Sequence, residues 1–385
     1  VLMKHFKKAV TLTDFQTGLV QSAFYFGYFC FAIPAALFMK RFGYKAAVVL
    51  GLVLFGAGAL LFLPAANAHS YGFFLVALYV LASGLAFLET SANPLVTVLG
   101  DPATAERRLN FAQSFNPLGS ITGVVIGSSF ILSGVEFSPE QTAAMSDAAL
   151  QAYYVSESQA VKGPYLAIGL FVLAWAALVA FTRFPAAAAG RTSEEVATTG
   201  DFRALFSKPR FLYGVAAQFF YVGAQVGIWS YQIRYTQIEV PGTPEKTAAQ
   251  AITVSLALLF AGRFLGAALM TRVSPAGLLA LFAAINVLLC AFAALAGGPL
   301  GLTALIATSL FMSIMFPTIF ALSLKGLGPL TKAGSSLLVM AIIGGAVITA
   351  LMGYVSDQLS IAMAMLVPAF CFVAVLGFAR SAVRA

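Results

Sequence analysis

The chain has 385 residues, 60% of them hydrophobic and only 9% charged, with a formal net charge of +8. Soluble domains carry about 25% charged residues, so this composition excludes a soluble globular domain and defines an integral membrane protein. The basic residues fall in short loops between apolar runs, which is the pattern of membrane topology and not of a nucleic-acid partner.

The chain opens at Val1, and VLMKHFKKAVTLT reads as the last turns of a helix whose beginning precedes the sequence, with no signal-peptide pattern. Apolar runs long enough to span a bilayer follow at 15–39, 46–65, 70–99, 108–133 and 161–183. A mixed, Ala- and Thr-rich stretch near 184–208 interrupts them. Further spans follow at 211–237, 247–270, 275–296, 300–323, 332–355 and 359–380. With the partial first helix, the expected fold class is all-α and membrane-embedded, twelve helices in two six-helix halves. The halves are 1–183 and 209–385, joined by a cytoplasmic linker at 184–208. Alternating ten-residue segments, the mark of a membrane β-barrel, are absent from the pattern.

Charge orients these spans. Lys40, Arg41, Lys45, Arg107, Arg108, Arg183, Arg191, Arg203, Lys208 and Arg210 occupy alternate loops, and Arg272, Lys325, Lys332, Arg380 and Arg384 continue that side. The other side holds Glu136, Glu140, Asp147 and Glu157, with Lys4, Lys7, Lys8, Lys162 and Lys246. The positive-inside rule then places the linker and both termini in the cytoplasm.

Glu89 is a carboxylate deep within an apolar run, LASGLAFLETSANPLVTVLG. A charge at mid-helix costs roughly 2.5–3.5 kcal/mol on insertion scales, so it persists where it is used or paired. Burial penalises the charged form, which suits such a group to carrying a proton. The alternative is a Glu tied to a Ser, Thr or Asn neighbour for helix packing alone. Asn93 shares its helix face, four residues on, and Gln113 and Asn116 share a face of the next span. In the second half Gln218, Tyr221, Gln225 and Trp229 run at three- and four-residue steps, with Tyr231 close behind. Carboxamides donate and accept together, which suits vicinal hydroxyls, and an aromatic face covers the apolar side of a sugar ring. Two such stripes in opposite halves point to a polyol pocket; interhelical hydrogen bonding is the plainer alternative.

Other residues carry less. Asp14 and Gln16 read as a helix start capped by Thr11 or Thr13, and His5 and His69 have no partners spaced for a metal. Arg263 is either a gating ion pair or a substrate contact, and Asp357 is a helix-end or loop contact. Cys30, Cys290 and Cys371 lie in apolar runs as small hydrophobes. No phosphate-binding loop and no paired acids are visible, which disfavours an ATP-driven pump or a membrane-embedded transferase; the chain does not read as an enzyme.

The halves echo each other weakly. Pro94 and Pro317 sit mid-span, each followed by a break with basic residues, and the next spans carry Gly119 and Gly123 or Gly344 and Gly345. Parallel halves with a site at their interface match a facilitator plan. More specifically, the segments TLTDFQTGLVQSAFYFGYFCFAIPAALFMKRFGYKAAVVLG, LETSANPLVTVLG, RRLNFAQSFNPLGSITG, AQFFYVGAQVGIWSYQIRY and KAGSSLLVMAIIGGAV resemble the fucose–galactose–glucose:proton symporter family of the major facilitator superfamily. The likeness runs over nearly the whole chain and is most distinctive over 88–123.

The resemblance implies a facilitator fold in a bacterial inner membrane, importing L-fucose or a related hexose by proton symport. It needs no cofactor, since the proton gradient supplies the energy. The expected partners are a sugar, a proton and the lipid bilayer, with no nucleic acid and a functional monomer. Glu89 matches the family's helix-four acid, expected in proton coupling and sugar binding. Gln113 and Asn116 match cavity-facing polar residues, and Trp229 matches a cavity aromatic. Asn93, Gln225 and Phe316 complete the expected substrate contacts. Two departures stand out. The helix-one Asp of the family's L-fucose permeases falls immediately before Val1, and Phe316 replaces their Tyr before the helix-ten Pro, removing a hydroxyl donor. Alternatives are glucose, galactose or N-acetylglucosamine as cargo, facilitation without protons, efflux of a lipophilic compound, or a nontransporting sugar sensor.

Overall fold

In hydrocarbon each backbone N–H and C=O must be satisfied within the protein, so a spanning helix breaks only where neighbours take up the freed groups. The computed structural model describes residues 14–68, 70–126, 159–184 and 199–383, with a few isolated positions between 126 and 159. Among these residues every regular element is helical. The initial helix stub with its Thr11 or Thr13 cap, His5, His69 and the acidic segment around Glu136, Glu140, Asp147 and Glu157 lie outside the described residues, as does most of the linker.

The first two full spans form α1, Asp14–Leu60, which bends at Gly43, where φ is 85°. Only glycine adopts that conformation without strain, and it lets the KRFGYK segment turn the chain. Next come α2, Phe62–Asn67, α3, Tyr71–Val98, α4, Ala105–Gln113, α5, Phe115–Ile126, and α6, Lys162–Phe181. The short helix α7, Thr199–Phe206, precedes α8, Pro209–Glu239, α9, Glu245–Leu269, and α10, Pro275–Ala296. The last spans are divided: α11, Gly298–Met312, from α12, Met315–Leu324; α13, Thr331–Met340, from α14, Gly344–Gln358; and α15, Ile361–Ala364, from α16, Leu366–Val383. Nine stretches of the described residues are long and apolar enough to cross a membrane. Large apolar side chains such as Phe181, Leu295 and Phe370 are more than three-quarters exposed, as lipid-facing surfaces require.

Proline places most of these divisions. It lacks an N–H, and its ring crowds the carbonyl four residues earlier. Pro117 thus disturbs Gln113 and the helix divides at Ser114; Pro317 disturbs Ser313 and the helix divides there; Pro368 disturbs Ala364, and α16 begins two residues on. Pro94 lies within α3, which stays continuous, so Thr90 is left with a free carbonyl inside an intact helix.

The described chain gathers into two compact units. One is built chiefly on residues 45–88 with parts of 1–31 and 120–184; the other holds residues 32–44, 89–119 and 185–385. Inside the first, Phe62 packs on Phe74 and stacks on Tyr165, with ring centroids 3.8 Å apart in the stack. Inside the second, Lys40 pairs with Asp201 of α7, and Lys332 lies over the Tyr44 ring at 5.3 Å.

The glycine echo of the sequence separates on packing. A Cβ at Gly344 would lie 2.1 Å from the Phe219 carbonyl oxygen, whereas one at Gly119 or Gly123 meets nothing within 4 Å among the described residues. Gly344→Ala therefore forces α14 away from α8 and is expected to cost about 1–3 kcal/mol, a range typical of overpacking. Thermal unfolding of the purified protein checks this: Gly344→Ala lowers the midpoint, and Gly119→Ala does not.

Candidate functional site

Four side chains of the second unit form one hydrogen-bonded chain. Asn93 Nδ2 donates to Glu89 Oε2 one turn back on α3. Asn93 Oδ1 in turn accepts from Gln113 Nε2 at 2.7 Å. Gln113 Oε1 accepts from Arg263 Nη1 of α9 at 3.3 Å, and the same nitrogen donates to the Gln113 main-chain carbonyl. That carbonyl is the one Pro117 deprives of its helical partner. Arg263 is 4% exposed and its Nε has no partner among the described residues.

The chain has a single direction. A guanidinium only donates and a carboxylate only accepts, so each carboxamide between them must turn its oxygen toward Arg263 and its nitrogen toward Glu89. Both amide orientations are thereby fixed by charge at the two ends and do not rest on local geometry alone. Hydrogen bonds linked in this way polarise one another in a medium of low dielectric constant. Protonating Glu89 removes the negative end and weakens the hold on Asn93.

A second set of contacts joins the same helices to later ones. Asn110, buried on α4, donates to the Glu106 carbonyl at 2.8 Å and to Thr318 Oγ1 at 3.0 Å, while its own Oδ1 has no partner among the described residues. Ser335 Oγ lies 3.0 Å from the Thr90 carbonyl freed by Pro94, and 2.8 Å from the Lys332 carbonyl. Its one proton serves either acceptor. On α8, Trp229 Nε1 donates to Ser309 Oγ at 3.1 Å, and the Tyr221 hydroxyl donates to the Met312 carbonyl at 3.1 Å. Phe316 stands 6.5 Å from the Tyr221 ring and stacks on Phe320.

The structure thus brings Glu89, Asn93 and Gln113 together and adds Arg263 to them. Asn116 is exposed on α5, beyond the break at Ser114. Gln225 is partly buried with no hydrogen-bond partner among the described residues, whereas Gln218 is fully buried with both polar atoms unpartnered there. Asp357 meets Arg234 at 3.7 Å with both side chains more than half exposed, a helix-end contact. The contacts of Asn110, Thr318, Ser309 and Ser335 were not expected from the sequence. One signal was present: Pro94 and Pro117 each free a carbonyl four residues earlier, and a buried donor must come from elsewhere to meet it.

Long apolar helices enclosing a charged, carboxamide-linked chain define a polytopic membrane carrier. The chain belongs to the major facilitator superfamily, whose family model matches residues 1–336. It is 47% identical to the L-fucose–proton symporter of Escherichia coli over 386 residues, covering 99% of this chain and 88% of that protein. It is 35% identical to a glucose/galactose transporter of Brucella abortus, with coverage of 97% and 86%. A crystal structure of the facilitator transporter FucP in the outward conformation matches with a TM-score of 0.91 at 46% identity, covering 98% of this chain and 92% of that one. The proton:xylose symporter XylE matches at TM-score 0.72 and 13% identity, a likeness of fold alone.

If Ser335 serves the carbonyl freed by Pro94, the two residues are coupled. Ser335→Ala is expected to destabilise by about 1–3 kcal/mol, the cost of a buried unsatisfied group. In a Pro94→Ala background the helix supplies its own N–H, and the same substitution costs measurably less. A double-mutant cycle by reversible unfolding reads the difference.

Proposed function

We propose that this protein is a proton-coupled sugar symporter that imports L-fucose or a related hexose by alternating access. The observation that carries the reading is Glu89 at the accepting end of the one-way chain from Arg263, in a sequence whose relatives are named L-fucose–proton symporters. In this reading the membrane is the bacterial inner membrane, both termini are cytoplasmic and the monomer is the working unit. The six-helix halves are 1–183 and 209–385, with 184–208 linking them.

Glu89 takes a proton from the periplasmic side. With its charge removed, the carboxyl no longer anchors Asn93, and the amides of Asn93 and Gln113 become available to sugar hydroxyls. Asn116 and Gln225 contribute further carboxamides. Trp229, whose indole N–H is held by Ser309, offers its ring face to the sugar and keeps its donor engaged. Phe316 supplies an apolar wall where a tyrosine would add a donor, which shifts the choice among hexoses.

Arg263 belongs to the second half and Gln113 to the first, so their contact must be remade when the halves rock. Protonation drives transport only if it favours the loaded, inward-facing state energetically. Arg263 is the link through which the proton on Glu89 bears on that equilibrium.

Glu89→Gln keeps the hydrogen bond from Asn93 but holds no exchangeable proton. This variant is expected to lose accumulation against a gradient while retaining sugar exchange, read by counterflow in liposomes. Full accumulation by Glu89→Gln would exclude the proton role, and loss of exchange as well would assign Glu89 to binding alone.

A further inference from the structure

A cavity of about 520 Å³ opens at the ends of α4 and α9, lined by Thr104, Arg107, Arg108 and Phe111 on one side and by Phe264, Ala267 and Ala268 of α9 on the other. Its two ends differ in chemistry. Arg107 and Arg108 lie in the first turn of α4, and no carboxylate lines the cavity. Phe111 and Phe264 meet edge to face at 6.3 Å, and Phe115 joins the same aromatic group at 5.9 Å from Phe111 and 6.4 Å from Phe264. Phe111 and Phe115 are each more than half exposed on these membrane helices.

The two arginines have separate duties. Arg108 closes the C-terminal end of α3: it donates to the carbonyls of Val96, Thr97 and Asp101 and to Thr104 Oγ1. Its donors are turned toward the protein, though its charge remains at the cavity. Arg107 is exposed and has no hydrogen-bond or ion-pair partner among the described residues. The nearest acids in sequence are engaged otherwise or turned away: Asp101 accepts from the Ala103 N–H, and Glu106 is buried.

We propose that this cavity binds one anionic phospholipid, its phosphate against Arg107 in the field of Arg108 and an acyl chain along Phe111, Phe264, Ala267 and Ala268. Charge complementarity selects the headgroup, because cationic pockets at a membrane surface gain about 1 kcal/mol per basic residue from anionic lipid. The polar-to-apolar order along the cavity selects a lipid over a free anion, which has no use for the aromatic wall. Phe111 is two residues from Gln113, and Phe264 follows Arg263 directly. A lipid seated on both helices therefore touches the pair that carries the Arg263–Gln113 contact.

The test places a reporter at the aromatic wall. Phe111→Trp, in the full-length protein reconstituted into nanodiscs, is titrated with brominated phosphatidylglycerol or brominated phosphatidylcholine at equal mole fraction. Signal from the native Trp175 and Trp229 is subtracted with the unsubstituted protein. Phosphatidylglycerol is expected to quench the reporter with roughly fivefold higher apparent association than phosphatidylcholine, and Arg107→Gln in the same background is expected to abolish the preference. Equal quenching by the two lipids overturns the proposal, as does a preference that survives Arg107→Gln. Competition by millimolar inorganic phosphate also overturns it, since it would assign a free-anion site. Arg108 is left in place because it holds the end of α3.

Discussion

The contact between Arg263 and the Gln113 carbonyl is the interaction on which the site depends. A guanidinium nearly sealed from solvent needs strong acceptors, and a carbonyl in a membrane helix ordinarily has none to spare. Pro117 supplies one by withdrawing the N–H that would have closed the helix at Gln113. The same break leaves Gln113 at the last position of α4, with its side chain reaching both Arg263 and Asn93. Without the proline, the arginine would face a satisfied backbone.

That arrangement makes a charge at one end legible at the other. Each carboxamide in the chain can point only one way while Arg263 is cationic and Glu89 anionic. Neutralising Glu89 frees that choice, and the amides can then reorganise around a ligand with hydroxyls of both polarities. In the proposed cycle this is how a proton and a sugar come to need each other. The demand is large. Moving a two-state equilibrium from one extreme to the other takes about 5.5 kcal/mol of differential binding, more than one neutral hydrogen bond contributes. A charge-bearing chain whose ends fall in different halves of the proposed division, 1–183 and 209–385, is suited to that scale.

Much of this was legible in the sequence. Length and hydropathy of the apolar runs gave the spans, because a bilayer sets both, and helical spacing placed Glu89 with Asn93. Phe316 entered through family resemblance alone, whereas Trp229 also lay on the helical stripe with Gln218, Tyr221 and Gln225. Arg263 remained ambiguous, since its partner lies 150 positions away and only tertiary packing joins them. The divisions at Ser114, Ser313 and Met365 sit within runs that hydropathy reads as continuous; each becomes readable once a proline is taken to disturb the carbonyl four residues before it. Packing also distinguished Gly344, pressed on the Phe219 carbonyl, from Gly119, where an added Cβ meets nothing among the described residues. Composition at the two positions is the same, so only the neighbouring helix tells them apart.

The central claim is that sugar movement is driven by protons. The most direct measurement is uptake of labelled L-fucose into liposomes holding the full-length protein, with and without an inward proton gradient. Accumulation above the external concentration, abolished when the gradient is collapsed, is the predicted result. Equilibration to the external concentration under both conditions would contradict it and leave a sugar facilitator in which Glu89 only binds.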